Sequence, residues 1–180
     1  MMYTYFMIHF RTHTKEDIPL RVRWLNNPAA NQYAVDDPTH VTTEEEQSQW
    51  FAEYDKKREL GEKKFFTILE DDRPIGFMGL SNIDGVKRTA EAFILIGEDD
   101  RRGHGIGKEA MRYLISYAFS ELKLGSVYLT GVKKSNAPAI NLYRGLGFQE
   151  TSKNDEEVDM SLRSMSGLWN GEIFMFPKNL

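Results

Sequence analysis

The chain has 180 residues, which suits one domain spanning 1–180 with a sizeable core. A net charge of −4 without a basic run speaks against a nucleic-acid partner, and the lack of cysteine excludes a disulfide framework, a thiolate metal site and an acyl-cysteine intermediate. No apolar run reaches the ~18 residues of a membrane span, and Met1–His13 lacks the basic and apolar blocks of a signal peptide, so a reducing cytoplasm is the expected compartment, with no membrane partner.

Tyr3–Thr12, rich in aromatic and β-branched residues, predicts a first strand. Lys15–Asn26 predicts a short helix with Ile18, Val22 and Leu25 on one face and Pro19 in its first turn, ended by Asn26-Asn27-Pro28. Asp36-Asp37-Pro38 is a loop. Thr42 or Thr43 caps a helix to about Arg58, with acids at its positive end and Trp50, Phe51 and Tyr54 on its apolar side. Phe65–Glu70 and Ile75–Ile83 are strands joined by the hairpin signal Asp71-Asp72-Arg73-Pro74, and Thr89–Gly97 is the next strand. A glycine-rich turn leads into a helix whose apolar face runs from Ala110 to Leu122. Ser126–Val132 follows as a strand, with Val127 and Leu129 opposite Tyr128 and Thr130. Asn136 or Ser135 caps a short helix that contains Pro138 and is closed by Gly145. Phe148–Thr151 begins a strand, Lys153–Asp159 reads as a solvated acidic turn, and Leu168–Phe176 is the last strand. From pattern alone this is a mixed α/β domain.

The turn Arg101-Arg102-Gly103-His104-Gly105-Ile106-Gly107-Lys108 sits between a buried strand and a helix, where unpaired N–H groups at the positive end of the dipole suit a phosphate. An ordinary tight turn is the alternative reading. Lys108 is followed by Glu109, which departs from the Walker pattern, and Gly-x-Gly-x-Gly departs from the dinucleotide fingerprint. The stretch resembles the acetyl-CoA pyrophosphate loop of the GNAT superfamily of N-acetyltransferases, with Arg102, Gly105 and Gly107 at its defined positions. Asn136-Ala137-Pro138-Ala139-Ile140-Asn141-Leu142-Tyr143-Arg144-Gly145-Leu146-Gly147-Phe148 resembles the family's second signature. The resemblance implies the GNAT fold, a central, mostly antiparallel twisted sheet of about seven strands flanked by about four helices. It implies acetyl-CoA as donor and CoA as product. Trp24-Leu25-Asn26-Asn27-Pro28, Arg88 with Glu91, Ile96-Gly97-Glu98 and the tail Gly167–Glu172 resemble the branch of spermidine, ribosomal-protein N-terminal and amino-sugar acetyltransferases.

Acylating an amine needs a base for the ammonium proton, stabilisation of the oxyanion and a proton for the leaving thiolate. The resemblance places Tyr143 beside the sulfur as the acid; the plain alternative is a core tyrosine sharing a helix face with Ile140. It places Asn136 on the pantetheine arm, a role compatible with capping, and has Ile94 and Ile96 act through backbone groups. Arg101 and Arg102 are surface charges or guanidinium forks for phosphate. His104 is a loop residue serving through its N–H, with Ile106 and Lys108 completing the cradle, and Arg144 is a surface residue or a contact to the 3′-phosphate. Glu91 stands where family members keep a glutamate that draws the amine proton through water; otherwise it is an exposed strand residue paired with Arg88. The branch resemblance puts Trp24, Asn26, Asp36 and Asp37 on the acceptor side, the two acids being ordinary turn carboxylates unless the substrate is a cation. Gly79-Leu80-Ser81-Asn82 stands where the polyamine enzymes place further acids, which leaves polyamine, amino sugar and protein N-terminus open. His9, His13 and His40 show no ligand spacing, so no metal is expected. A homodimer is compatible with the resemblance. A non-catalytic acetyl-CoA-binding module for sensing or assembly is the alternative function.

Overall fold

The computed structural model describes residues 7–35 and 37–164. The elements run β1 (Ile8–Thr12), α1 (Ile18–Leu25), α2 (Pro28–Asn31), α3 (Glu44–Glu59), β2 (Lys64–Glu70), β3 (Arg73–Asp84), β4 (Thr89–Ile96), α4 (Ile106–Ser116), β5 (Ser126–Lys133), α5 (Ala137–Gly145), β6 (Gln149–Lys153) and β7 (Glu157–Arg163). They form a seven-stranded sheet in the order β1-β2-β3-β4-β5-β7-β6, antiparallel except where β4 meets β5.

Local chemistry accounts for most boundaries. Thr43 caps α3 in a reciprocal box with Glu46. Asp71 and Asp72 form the tight turn between β2 and β3 with φ of 47° and 65°, a left-handed geometry that aspartate tolerates. Pro74 lies inside β3 beside a register shift in β2, where the ladder can spare a donor. Asn136 caps α5 through Ala139 N–H, and Pro138 sits in the first turn. Closure of α5 falls to Gly147 at φ 95°, two residues beyond the expected Gly145, which ends the helix in right-handed geometry. Leu122 N–H bonds to Tyr117 C=O, so α4 ends in a π-helical turn over Tyr117–Glu121.

Two expectations are corrected. Asn26-Asn27-Pro28, expected only to end a helix, also begins one: Asn27 caps α2 through Ala29 N–H. The acidic stretch expected to be a solvated turn contributes to β7, in which Val158 and Met160 enter the core while Glu157 and Asp159 face outward. That strict alternation is a half-buried strand. The strand expected at 168–176 and the 167–172 tail lie outside the described residues.

The sheet buries both faces. Met78, Leu80, Ala90, Ala92, Val127, Leu129 and Met160 pack under α4 and α5. On the other face Trp24 and Leu25 of α1 cover Phe77 and Leu95. Trp50 and Tyr54 of α3 stack at 5.4 Å, and Tyr54 stacks on Phe65 at 4.7 Å. Between these layers the Arg21 guanidinium lies 3.7 Å from the Trp50 ring centre and 4.3 Å from that of Phe77, with Nε donating to Gln47 at 2.9 Å. Burial lowers its pKa to about 9, which leaves it cationic at neutral pH.

Beside Arg21, the His13 Nδ1 meets Thr67 Oγ1 at 2.9 Å and Asp17 Oδ2 at 3.3 Å. Burial, then the charge of Arg21, hold His13 at about 4 instead of 6.5. Burial pushes Asp17 up, but bonds from Arg11, Thr14 and Thr67 outweigh it and hold the carboxyl at about 2. Below pH 6.5 the unfolded chain takes up a proton on His13 that the folded protein refuses until about 4. Stability therefore falls across that window, by roughly 3 kcal/mol at most, and falls again as Asp17 protonates toward pH 2. Urea midpoints should decline between pH 7 and pH 4.5, and His13→Gln should flatten that decline; an unchanged slope would assign it to other groups.

Candidate active site

β4 and β5 pair in parallel only at Thr89–Ser126, Ala90–Val127 and Glu91–Tyr128, then separate toward their C-terminal ends. Gly97 N–H donates to Ile75 C=O on β3 at 2.9 Å, and pairing alternates from there. Leu95 and Phe93 face β3 with their backbone groups, while Ile94 and Ile96 turn theirs into the gap. Arg102 Nη1 reaches the Ile96 carbonyl at 3.2 Å. The opening thus presents the strand edge of Ile94 and Ile96, with the Ile96 carbonyl taken by Arg102.

The glycine-rich turn lies beyond the open end. Gly103 and Gly105 both hold φ at 82°, and Gly105 is the N-cap of α4. A Cβ on Gly105 would meet no atom within 4 Å, so the glycine is required by conformation alone. Lys108 and Glu109 N–H groups fold back onto the Gly105 carbonyl, whereas Ile106 and Gly107 are first-turn donors with no acceptor four residues behind. A Cβ on Gly107 would touch Leu142 at 3.5 Å, which places the start of α4 against the second turn of α5. His104 Nδ1 lies 3.0 Å from the Arg102 carbonyl, so its ring braces the turn.

Glu91 occupies the last paired position of β4, at the vertex of the opening and on the α1–α3 side of the sheet. Its Oε2 accepts from Asn82 Nδ2 at 2.9 Å and lies 3.5 Å from Ser81 Oγ; its Oε1 accepts from Thr130 Oγ1. The alternative pairing with Arg88 is not made: Arg88 Nε donates to the Lys123 carbonyl. Tyr143 belongs to the core layer on the opposite side, 7% exposed, with its ring 5.8 Å from Phe148. Burial alone pushes its phenol up to about 12. Asn136 Oδ1 is committed to Ala139 N–H at 3.3 Å, which leaves Nδ2 as a donor.

Other expected site residues carry acids or structural bonds of their own. Arg101 is tied to Glu70 and Asp100, and Arg102 to Asp99, so these forks begin engaged. Arg144 reaches Glu150 at 2.5 Å and joins α5 to β6. Trp24, expected toward the acceptor, is 1% exposed and donates its Nε1–H to Glu98 at 2.8 Å, a core position. Asn26 spends both amide atoms on the Thr42 backbone at 2.8 Å, clipping α1 to the approach of α3. Asp37 accepts from Thr39 N–H and Oγ1, which lower its pKa and make it a turn carboxylate. Asp36 lies outside the described residues. Sequence reading missed Asn82, Thr130 and Asp159 around Glu91; the one visible signal was that Thr130 shares Tyr128's face.

Among the described residues no group of three His, Asp or Glu side chains could hold a metal, and no helix is long and apolar enough to cross a membrane. A strand edge opened beside a glycine-capped helix, over a mostly antiparallel sheet, is the architecture of an acyl-transferring enzyme that lays its donor between two parting strands. The Acetyltransferase (GNAT) domain family matches residues 8–149, and the chain belongs to it. It is an N-acetyltransferase that uses acetyl-CoA and acts on amines. Among its relatives is the spermidine N(1)-acetyltransferase of Escherichia coli K12, 29% identical over 141 residues, 78% of this chain and 72% of the relative. The fold is shared with the spermidine N-acetyltransferase of Vibrio cholerae in complex with CoA and spermine, at a TM-score of 0.74, 22% identity and 87% and 95% coverage of the two chains. It is shared too with the ribosomal L7/L12 alpha-N-protein acetyltransferase in complex with coenzyme A, at a TM-score of 0.76, 15% identity and 87% and 93% coverage.

Proposed function

We propose that the chain moves acetyl directly from acetyl-CoA to a primary amine of a small polycation of the polyamine class. The observation that carries this reading is Glu91 at the vertex, with Asp159 and Glu157 on the same side of the sheet. A carboxylate there attracts an ammonium group and draws its proton through water, and its neighbours favour further positive charge. Acetyl-CoA supplies the thioester carbonyl. The N–H groups of the turn from Gly103 to Gly107 hold the pyrophosphate at the positive end of α4, with Arg102 leaving Asp99 to join them. Ile94 and Ile96 pair with the pantetheine amides as an added strand, Asn136 Nδ2 donates to the same arm, and Tyr143 donates its proton toward the sulfur.

Thiol release from acetyl-CoA should be fastest with spermidine, compared at equal concentrations with an amino sugar and with peptides bearing free N-termini. A peptide or sugar preference would replace the acceptor class. Release no faster than hydrolysis with every amine would favour the binding-module reading. Saturating acetyl-CoA should raise the melting temperature by mass action. Gly105→Val should abolish that rise, because a β-branched residue at φ 82° strains the turn by about 1–3 kcal/mol and turns the N–H groups aside. A Gly105→Val protein that binds acetyl-CoA like the parent would move the cradle elsewhere.

A further inference from the structure

We propose that Asp159 of β7 is a positioning residue for Glu91, acting through a bulge in β5 and the Thr130 hydroxyl. The inference rests on the reading of Glu91 as the base.

The register of β5 against β7 shifts between Leu129 and Val132, so Thr130 and Gly131 stand out of the ladder opposite Asp159. Such a bulge leaves an extra residue unpaired and re-aims its neighbours. Gly131 takes φ 61°, which glycine alone adopts without strain, and its N–H would lack a strand partner. Asp159 Oδ1 accepts that N–H at 2.9 Å. The other oxygen, Oδ2, accepts from Ser152 Oγ of β6 at 2.5 Å. Both oxygens are therefore committed, one to each neighbouring strand. The Glu157 carboxylate fills the space beside Gly131 where a Cβ would point, 3.6 Å from that position, and closes the bulge from the other flank.

What the bulge presents is Thr130, exposed, with Oγ1 donating to Glu91 Oε1. Glu91 is thus held from two directions, by Asn82 of β3 on Oε2 and by Thr130 of β5 on Oε1. Asn82 likewise stands out of the ladder, where the register of β3 against β4 shifts between Ser81 and Asp84, with φ at 49°. The Thr130 side rests on two residues outside the ladder, and Asp159 is the side chain that fixes their backbone. The chain Ser152–Asp159–Gly131–Thr130–Glu91 crosses four strands and ends on the carboxylate at the vertex.

Asp159→Ala should lower kcat about ten- to a hundred-fold, part of the ~10²–10⁴ that a positioned base supplies, with the KM for acetyl-CoA unchanged. Asp159→Asn, whose amide oxygen can still accept the Gly131 N–H, should restore most of the loss. In a Glu91→Gln background, Asp159→Ala should lower kcat no further. Should Asp159→Ala fail to fold, Ser152→Ala loosens the same carboxylate and should give a smaller loss that likewise vanishes in the Glu91→Gln background. An Asp159→Ala protein within two-fold of the parent, an equal loss with and without Glu91, or a raised amine KM at constant kcat would each overturn the positioning role alone. Full activity of Glu91→Gln would remove the base reading and this inference with it.

Discussion

Replacing Tyr143 with phenylalanine should lower kcat by about 10²–10⁴ while the KM for acetyl-CoA stays within a few-fold. The phenol is buried in the layer under α4 and α5, and the phenylalanine ring fills the same space. With the hydroxyl's pKa pushed up to about 12, it carries its proton across the whole working pH range, so no alkaline loss of rate should trace to it. A donor that weak is mismatched to a thiolate of pKa ~8.5 only if the thiolate stays in water. A sulfur released into the same dry layer is raised by the same desolvation, and the two groups are brought together. The loss should therefore fall on turnover and leave binding intact, the pattern of an interaction made in the transition state. If Tyr143→Phe turns over at the parent's rate and only the melting temperature drops, the residue is a core tyrosine and solvent protonates the sulfur.

Trp24→Ala should cost about 3–5 kcal/mol, lowering the melting temperature by on the order of 10 °C. Its indole stacks on Phe77 at 6.1 Å and occupies the place a side chain at Gly97 would need. Its Nε1–H holds Glu98, which also anchors Arg23 and Arg73. The truncation thus opens a cavity at the C-terminal end of β4 and strips a donor from the carboxylate beside the glycine turn. Trp24→Phe, which keeps a ring there, should lose less stability and leave the amine KM unchanged. A raised amine KM at an unchanged melting temperature would return Trp24 to the acceptor site.

The contrast between Trp24 and Glu91 shows which properties a sequence exposes. Strands, helix caps and the glycine turn are local, and their residues announce them: Thr43 with Glu46, Pro138 after Asn136, the paired aspartates of the first hairpin. Side-chain destination is not local. Trp24 and Asn26 read as acceptor residues because they sit in a motif, yet Gly97 and Thr42, far along the chain, decide that one is core and the other a clip. β7 was hidden because its outward positions carry acids that resemble a turn, although Val158, Met160 and Leu162 alternate with them. The parting of β4 and β5 was legible only through resemblance, since nothing in either strand's composition records where pairing stops. Asp159 was invisible for the same reason: its partner is a backbone N–H in a bulge.

The π-helical turn over Tyr117–Glu121 has a bearing on how the chain tolerates length changes. A π turn stores one residue more than an α turn requires, so a single deletion within it can be absorbed by rewinding into α form, with the helix keeping its direction on both sides. A single deletion between Ser126 and Leu129 falls in the paired stretch ahead of the β5 bulge and has no such reservoir. It slides β5 by one position and exchanges its two sides, sending Tyr128 and Thr130 into the core and Val127 and Leu129 to the α1–α3 side. The spare residue marks where a deletion can be neutral in this chain, only a few positions ahead of the strand where it cannot.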